Sequence, residues 1–232
     1  MSNNYSILVD TNGTSQDIHH NSFIGGQPKL PGNVNIPRCK LCGNEQTFFF
    51  QIAFPFGNPW AGTSVAIFSC TSCADENYLI PEMLNGPLHG INIPHSFLIN
   101  YQRNFCFEVF ETNTGQIQRG YIEKVAFHEL RLVPGEFQNS IGYVGGSPNW
   151  ILGDESPAFY NSTIPMIFLF QLPLGIRFEK IPNAPPQTEI GLTRKPESSP
   201  DNFYELFLGN ALYFFGTLDN SNKLVYVVTQ SE

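Results

Sequence analysis

The sequence predicts a mainly β protein with an internally duplicated, antiparallel β-sheet architecture, and three observations indicate this fold class. Apolar residues make up 41% of the 232 residues, and 21 residues are phenylalanine, so the chain can bury a substantial core. Glycine and proline contribute 20 and 18 residues, which favours short strands joined by many turns. The apolar residues lie in short runs with little sustained helical periodicity.

A short frame in the first half of the chain returns in the second half at a constant offset of 120 residues. Residues 25–28 (Gly-Gly-Gln-Pro) match residues 145–148 (Gly-Gly-Ser-Pro), and residues 50–52 (Phe-Gln-Ile) match residues 170–172 (Phe-Gln-Leu). Because the matches share one offset without a gap, they predict two copies of one β unit.

This frame divides the chain into three parts. Residues 1–21 are polar and predict an N-terminal arm with one short strand. Residues 22–140 predict a first β repeat and residues 141–232 a second, with both repeats in one compact unit. Residues 176–202 are rich in Pro, Ser, Glu and Asn, have no counterpart in the first repeat, and predict a long loop.

Strands are predicted where β-branched and aromatic residues are concentrated. Residues 47–54 are almost continuously apolar, which is typical of a strand buried on both faces, and residues 63–69 return antiparallel to them. Residues 112–115 predict a hairpin turn, and residues 75–84 predict one or two turns of helix. The other predicted strands are 5–9, 97–111, 116–132, 165–172, 204–208, 211–217 and 224–230.

Four of the five cysteines form two Cys-x-x-Cys pairs, Cys39/Cys42 and Cys70/Cys73. In an intracellular chain such pairs indicate metal ligands sooner than disulfides. The predicted hairpin of residues 47–54 and 63–69 brings the second pair back to the end where the first pair lies. Four thiolates leave no open position on a tetrahedral zinc ion, so we predict a structural zinc in a zinc-ribbon-like hairpin.

Two alternatives remain for the cysteines, namely two redox pairs or four buried thiols without metal. A thioredoxin-like role is disfavoured because neither pair opens a helix after a strand. The positions 120 residues after Cys39 and Cys42 are Phe159 and Ser162, so the second repeat lacks these ligands, which favours a structural role. The fifth cysteine, Cys106, stands alone in a predicted strand and is predicted to be a core residue.

The net charge, the N-terminal residues and the length of the apolar runs indicate which partners and which cell compartment to expect. The net charge is −8, with only 12 Lys and Arg, which disfavours nucleic-acid binding. The first ten residues lack the basic and apolar regions of a signal peptide. The longest apolar stretch, residues 164–176, is interrupted by Pro165 and Pro173 and is too short to span a bilayer. We therefore expect a cytoplasmic protein with no nucleic-acid or membrane partner.

The sequence predicts no catalytic residue and no cofactor-binding residue apart from the four cysteines. It contains no nucleophile elbow, Walker A motif or H-E-x-x-H motif. Gln51 and Gln171 are polar residues inside apolar runs, and they are better explained by amides that bond buried backbone of the glycine segments than by ligand binding. The five histidines form no recognisable motif and are His19, His20, His89, His95 and His128.

Short motifs in both halves resemble two related families. Residues 25–31, the first cysteine pair, residues 48–55 and residues 65–73 resemble the programmed-cell-death-2-like proteins. Residues 144–151, 166–172 and 210–219 resemble the bacterial YwqG-like family, also called domain of unknown function 1963. The chain departs from the pattern of the programmed-cell-death-2-like proteins, the eukaryotic family of the two, at two points. It has Leu30 where tryptophan is usual, and it has only four cysteines in Cys-x-x-Cys pairs.

The resemblance implies a duplicated all-β fold and two functions. The YwqG-like side implies a candidate immunity protein of a bacterial toxin system, and the eukaryotic side implies a chaperone of a ribosomal protein. Because the resemblance points to protein binding, the net charge is negative and no catalytic motif is found, we expect a non-enzymatic protein that binds another protein, such as a toxin domain. The alternatives are a chaperone of a basic ribosomal protein and, third, an enzyme with residues 176–202 as a lid.

Overall fold

The computed structural model describes residues 4–10, 15–219 and 222–232, and it confirms the mainly β fold class. Within these residues, helix is limited to α1 (Phe97–Asn100) and two 3-10 turns (Thr112–Thr114 and Phe207–Gly209), and no helix is long and apolar enough to cross a membrane. The strands are β1 (Tyr5–Val9), β2 (Phe23–Ile24), β3 (Lys29–Pro31), β4 (Thr47–Ala53), β5 (Thr63–Ser69), β6 (Asn92–Ile93), β7 (Phe105–Glu111), β8 (Gly115–Ile117), β9 (His128–Pro134), β10 (Tyr143–Val144), β11 (Phe159–Tyr160), β12 (Ile164–Leu172), β13 (Phe178–Glu179), β14 (Thr188–Ile190), β15 (Pro196–Ser198), β16 (Phe203–Tyr204), β17 (Ala211–Thr217) and β18 (Val225–Gln230).

Two six-stranded sheets contain most of these strands. The first has the order β1-β9-β2-β4-β5-β7, and the second contains β18-β17-β12-β11-β6 with β10 also paired to β12. Two hydrogen bonds of 2.9 Å join the sheets, because Ile7 N–H donates to the Gly142 carbonyl and Ile141 N–H donates to the Ile7 carbonyl. The long strands β4, β5, β17 and β18 are buried along nearly their whole length, although β18 stands at the edge of its sheet.

Corresponding segments of the two halves have matching strand registers. In the first half, Phe23 lies opposite Gln51 where β2 pairs with β4. In the second half, Tyr143 lies opposite Gln171 where β10 pairs with β12. Both pairs are antiparallel, and in each half the longer strand then pairs with a further long strand, β5 or β17.

The same positions in both halves also carry an irregularity. The register of β4 against β5 shifts between Phe48 and Phe50. The register of β12 against β17 shifts between Phe168 and Phe170. A bulge bends a strand and increases its twist, so both long strands are bent at the corresponding place.

The glycine pairs follow β2 and β10 and bond back to the long strands. Gly25 N–H donates to the Phe49 carbonyl at 2.9 Å, and Gly145 N–H donates to the Leu169 carbonyl at 2.7 Å. Both glycines have positive φ, 58° for Gly25 and 76° for Gly145. A Cβ at Gly25 would overlap the Ala126 carbonyl oxygen, so glycine is required there by backbone conformation and by space.

The two glutamines bond main-chain groups near the glycine pairs. Gln51 Nε2 donates to the Asn21 carbonyl at 3.0 Å, and Gln171 Oε1 accepts from Asn149 N–H at 2.8 Å. Their partners flank the glycine pairs instead of belonging to them. We predicted that the two amides would bond backbone groups of the glycine segments themselves. Both amides do bond backbone groups, but these groups belong to neighbouring residues.

The two sheets meet in an aromatic core. The Phe50 ring lies 6.0 Å from the Phe170 ring and 6.3 Å from the Phe214 ring, both edge-on. At one end of this core Trp60 Nε1 donates to the Thr217 carbonyl at 3.1 Å. Aromatic contacts of this geometry contribute about 0.5–1.5 kcal/mol each beyond the burial of their surface.

Several local predictions are wrong. Residues 112–115 do not close a hairpin, because β7 pairs with β5 while β8 pairs with β3. Residues 75–84 contain turns and bends without a helix, whereas residues 97–100, predicted as strand, form α1. Cys106 is only half-buried, and its Sγ lies 3.3 Å from the Glu108 carboxylate.

The predicted loop of residues 176–202 contains β13, β14 and β15 and packs against the first half of the chain. Ala126 N–H donates to the Glu179 carbonyl at 2.8 Å, and Ile181 N–H donates to the Lys124 carbonyl at 3.0 Å. The segment is thus an ordered part of the fold, and the absence of long apolar runs hid its short strands from sequence analysis.

We predict that Gly216→Ala destabilises the fold by about 1–3 kcal/mol. A Cβ at Gly216 would overlap the indole ring of Trp60, which lies in the core between the sheets. Gly120→Ala is the matched control, since nothing lies within 4 Å of a Cβ there, and it should change stability by less than about 0.5 kcal/mol. Urea unfolding of both variants measures the difference, and equal stability of the two would contradict this packing.

Candidate metal centre

The four Cys-x-x-Cys cysteines lie together at one end of the β4–β5 hairpin. The first pair precedes β4 and the second follows β5, and Thr47 lies opposite Ser69 where the two strands end. The first pair is held in a tight turn, because Gly43 N–H donates to the Cys39 carbonyl and Cys39 N–H donates to the Asn44 carbonyl, both at 2.9 Å. Antiparallel pairing therefore brings both cysteine pairs to one place.

The sulfur–sulfur distances match the edges of a metal-centred tetrahedron. The Sγ atoms of Cys39 and Cys73 are 3.7 Å apart, those of Cys42 and Cys70 are 3.6 Å apart, and those of Cys70 and Cys73 are 3.5 Å apart. All four lie within 4.8 Å of one another. Metal–sulfur bonds of ~2.3 Å give edges of about 3.8 Å, whereas a disulfide bond is about 2.05 Å long. The four thiols can hold a metal ion.

The cluster lies at the protein surface with one side open to solvent. Cys39 and Cys70 are 2% and 7% exposed, Cys73 is half-buried and Cys42 is exposed. Partial burial shields bound metal from water while the Cys42 side leaves a path by which an ion can enter.

Burial favours the protonated form of two of these thiols, Cys70 and Cys73. It raises the pKa of Cys70 to about 11 and also raises the pKa of Cys73. Burial acts in the same direction on Cys42, but there it is outweighed by the hydrogen bond with the Asn44 main chain and by neighbouring thiols, so the pKa of Cys42 is lowered. A metal ion must therefore displace protons as it binds.

Polar groups from three separate parts of the chain surround the second cysteine pair. The hydroxyls of Thr47 and Thr71 lie 2.6 Å apart, and Lys124 Nζ donates to the Thr47 hydroxyl at 3.3 Å. Burial lowers the pKa of Lys124, while the neighbouring Cys70 sulfur opposes this change. A cation near Cys70 would offset part of the negative charge of four thiolates.

The second half of the chain also reaches this site. Thr188, the first residue of β14, donates its N–H to the Thr71 carbonyl at 2.9 Å. Sequence analysis missed both Lys124 and Thr188, because they lie 54 and 118 residues after Cys70 and belong to no local motif.

The histidines lie apart from the cysteines. His20 is 3.5 Å from Glu129, His89 is 3.1 Å from Asp154, and His128 is 3.9 Å from Glu179. Among the described residues, the four cysteines form the one group of three or more potential metal ligands. The candidate site is therefore made of sulfur ligands alone.

A scan against protein-family models found no match for this chain, and a search of curated proteins found none either.

We predict that Cys70→Ser lowers the free energy of unfolding by several kcal/mol or prevents folding, because metal binding contributes to the folding free energy of such sites. Cys39→Ser should act in the same way. Cys106→Ser is the matched control and should have a small effect, since Cys106 is half-buried outside the cluster. Thermal melting followed by circular dichroism measures this, and unchanged melting of both ligand variants would refute the site.

Proposed function

We propose that the protein is a non-enzymatic protein-binding protein whose fold is stabilised by a structural zinc ion. The observation that carries the proposal is the sulfur-only cluster, in which four cysteines within 4.8 Å of one another would fill all positions of a tetrahedral ion. With no open position, such an ion organises the chain and leaves binding to the surrounding surfaces.

Zinc is proposed because soft thiolate ligands in tetrahedral geometry favour it. Cys39, Cys42, Cys70 and Cys73 would be the ligands, and the β4–β5 hairpin would then be a zinc-ribbon-like element. When bound, the ion supplies a cross-link between the two ends of this hairpin.

We predict about one zinc ion per chain in the purified protein, measured by inductively coupled plasma mass spectrometry. A strong chelator should remove it and lower the melting temperature, because the bound ion contributes to the folding free energy. The Cys39→Ser variant should retain less metal than Cys106→Ser. Iron in place of zinc, or a chain that melts identically with and without the chelator, would contradict the assignment.

A groove that combines apolar side chains with carboxylates, called the acidic groove below, supports a protein as the binding partner. The groove has a volume of about 430 Å³ and its apolar side chains include Ile122, which is 77% exposed, Ile181 and Pro182. Glu45, Glu123 and Lys124 also line it, so the carboxylates outnumber the cation. An exposed apolar surface beside carboxylates, on a chain with net charge −8, fits a partner segment with an apolar anchor flanked by Lys or Arg.

Within the protein-binding class we propose an immunity protein that sequesters a bacterial toxin. This assignment follows from the motif resemblance to the YwqG-like family. The second candidate is a chaperone of a basic ribosomal protein, which the acidic groove supports equally well. Both candidates require a stable complex with one dominant partner, and an enzyme does not.

We further propose that the two halves arose by duplication. The matching registers of Gln51 and Gln171, and the register shifts at Phe50 and Phe170, support this proposal. The cysteine cluster would then be a feature of the first repeat alone, since Phe159 and Ser162 stand at the offset positions.

The proposed function is tested by affinity capture of the tagged protein from its own cells, followed by mass spectrometry. We expect one dominant partner. A partner encoded next to this chain supports the immunity role, and a single ribosomal protein captured before assembly supports the chaperone. A chain that captures no partner would refute both.

We predict that Ile122→Lys lowers recovery of that partner about tenfold or more, because it removes an apolar anchor and places a cation against a basic segment. Leu192→Lys is the matched control, since Leu192 is a fully exposed leucine between β14 and β15, outside the groove. Equal recovery with both variants would exclude the groove as the contact surface.

A further inference from the structure

A second cavity, of about 300 Å³, lies between the first cysteine pair and the start of β7. Its apolar lining includes Leu98, Phe105 and Phe107, which are 0%, 2% and 7% exposed and form its inner wall. Volumes of this size accommodate a small group of about ten non-hydrogen atoms. The cavity can therefore receive one apolar side chain.

Two cations line the same cavity. Lys40 is exposed, forms no salt bridge with any described residue, and stands between Cys39 and Cys42. Its main chain is fixed by a hydrogen bond of 2.9 Å from its N–H to the Arg103 carbonyl. Arg38 also lines the cavity, where it donates to the Gly43 carbonyl at 3.1 Å and lies 3.9 Å from the Glu45 carboxylate, which offsets its charge. Lys40 is therefore the cation that favours an anionic ligand at this cavity.

One residue that lines the cavity has a buried side-chain oxygen without a partner among the described residues. Gln46 is 1% exposed and lines the cavity, and its Oε1 accepts no hydrogen bond from any described residue. Gln102, which lines the same cavity, is by contrast bonded at both ends, to the Leu98 carbonyl at 3.0 Å and to Phe107 N–H at 2.7 Å. A buried acceptor without a donor costs free energy, so a ligand that brings a donor would relieve this cost.

We propose that this cavity binds the carboxy-terminal residue of a partner polypeptide with an apolar side chain. Such a residue places its side chain against Leu98 and Phe105, its main-chain N–H at Gln46 and its carboxylate at Lys40. A fatty acid would supply the carboxylate and the apolar chain but no N–H donor. The assignment rests on the proposed function as a protein-binding protein and identifies one feature of the partner.

The test uses N-acetyl-leucine as the probe on the isotope-labelled full chain, followed by NMR. We expect the amide signals of Lys40 and Gln46 to shift, with a dissociation constant on the order of 1–10 mM for so small a ligand. Lys40→Gln should weaken binding about tenfold, because it removes a charge-assisted contact to the carboxylate. Lys195→Gln, at another exposed lysine, is the matched control and should leave binding unchanged.

Two further probes separate the parts of the ligand. N-acetyl-leucinamide lacks the carboxylate and isocaproate lacks the N–H donor, so each should bind about tenfold more weakly than N-acetyl-leucine. The site is overturned if N-acetyl-leucine causes no shift at the cavity, if the amide binds equally well, or if Lys40→Gln binds as the control does. Equal binding of isocaproate overturns the polypeptide assignment.

These measurements do not need the natural partner, so they separate the two proposals. A chain that binds N-acetyl-leucine at this cavity and captures no protein retains the site and refutes the proposed function. A chain that captures a partner and ignores N-acetyl-leucine retains the proposed function and refutes the site.

Discussion

The packing of Phe50 against Phe170 and Phe214 is the contact on which the rest of the structure depends. Phe50 lies in β4 and the other two rings lie in β12 and β17, so one buried cluster fixes the long strands of both sheets. The register shifts before Phe50 and Phe170 bend the strands at this contact. Because close-packed interiors tolerate little displacement, the contact fixes where the β4–β5 hairpin lies relative to the second half.

The position of the hairpin in turn determines the cysteine cluster. The strands β4 and β5 carry no cysteine themselves, but their pairing sets the two ends beside each other at Thr47 and Ser69. At those strand ends the side chains are hydroxyls, the Lys124 ammonium group and the thiols, and the packing is no longer apolar. A bound metal would therefore link the two ends where apolar packing does not hold them together. The hydrogen bond from Thr188 to Thr71 links the same end to the second half.

Both surfaces proposed to bind a partner include residues that neighbour the first cysteine pair in the sequence. Glu45 lines the acidic groove, and Arg38 and Lys40 line the cavity. Arg38 lies 3.9 Å from Glu45, so residues adjacent to the cluster carry the charges of both surfaces. A structural ion at this place would hold both surfaces in position without taking part in chemistry, which is why a sulfur-only site and a binding function are compatible.

The sequence by itself determined the class of the fold, the strands Thr63–Ser69 and Ala211–Thr217, and the four cysteines of the cluster, because these follow from local composition and from spacing within one hairpin. The pairing of β7 with β5 and of β8 with β3 depends on tertiary contacts, and so does the placement of Lys124 in the groove and of Gln46 in the cavity. The alternation of apolar and polar residues along a strand shows which side chains face the core, but it does not show which other strand pairs with it. That choice depends on contacts between residues distant in the sequence.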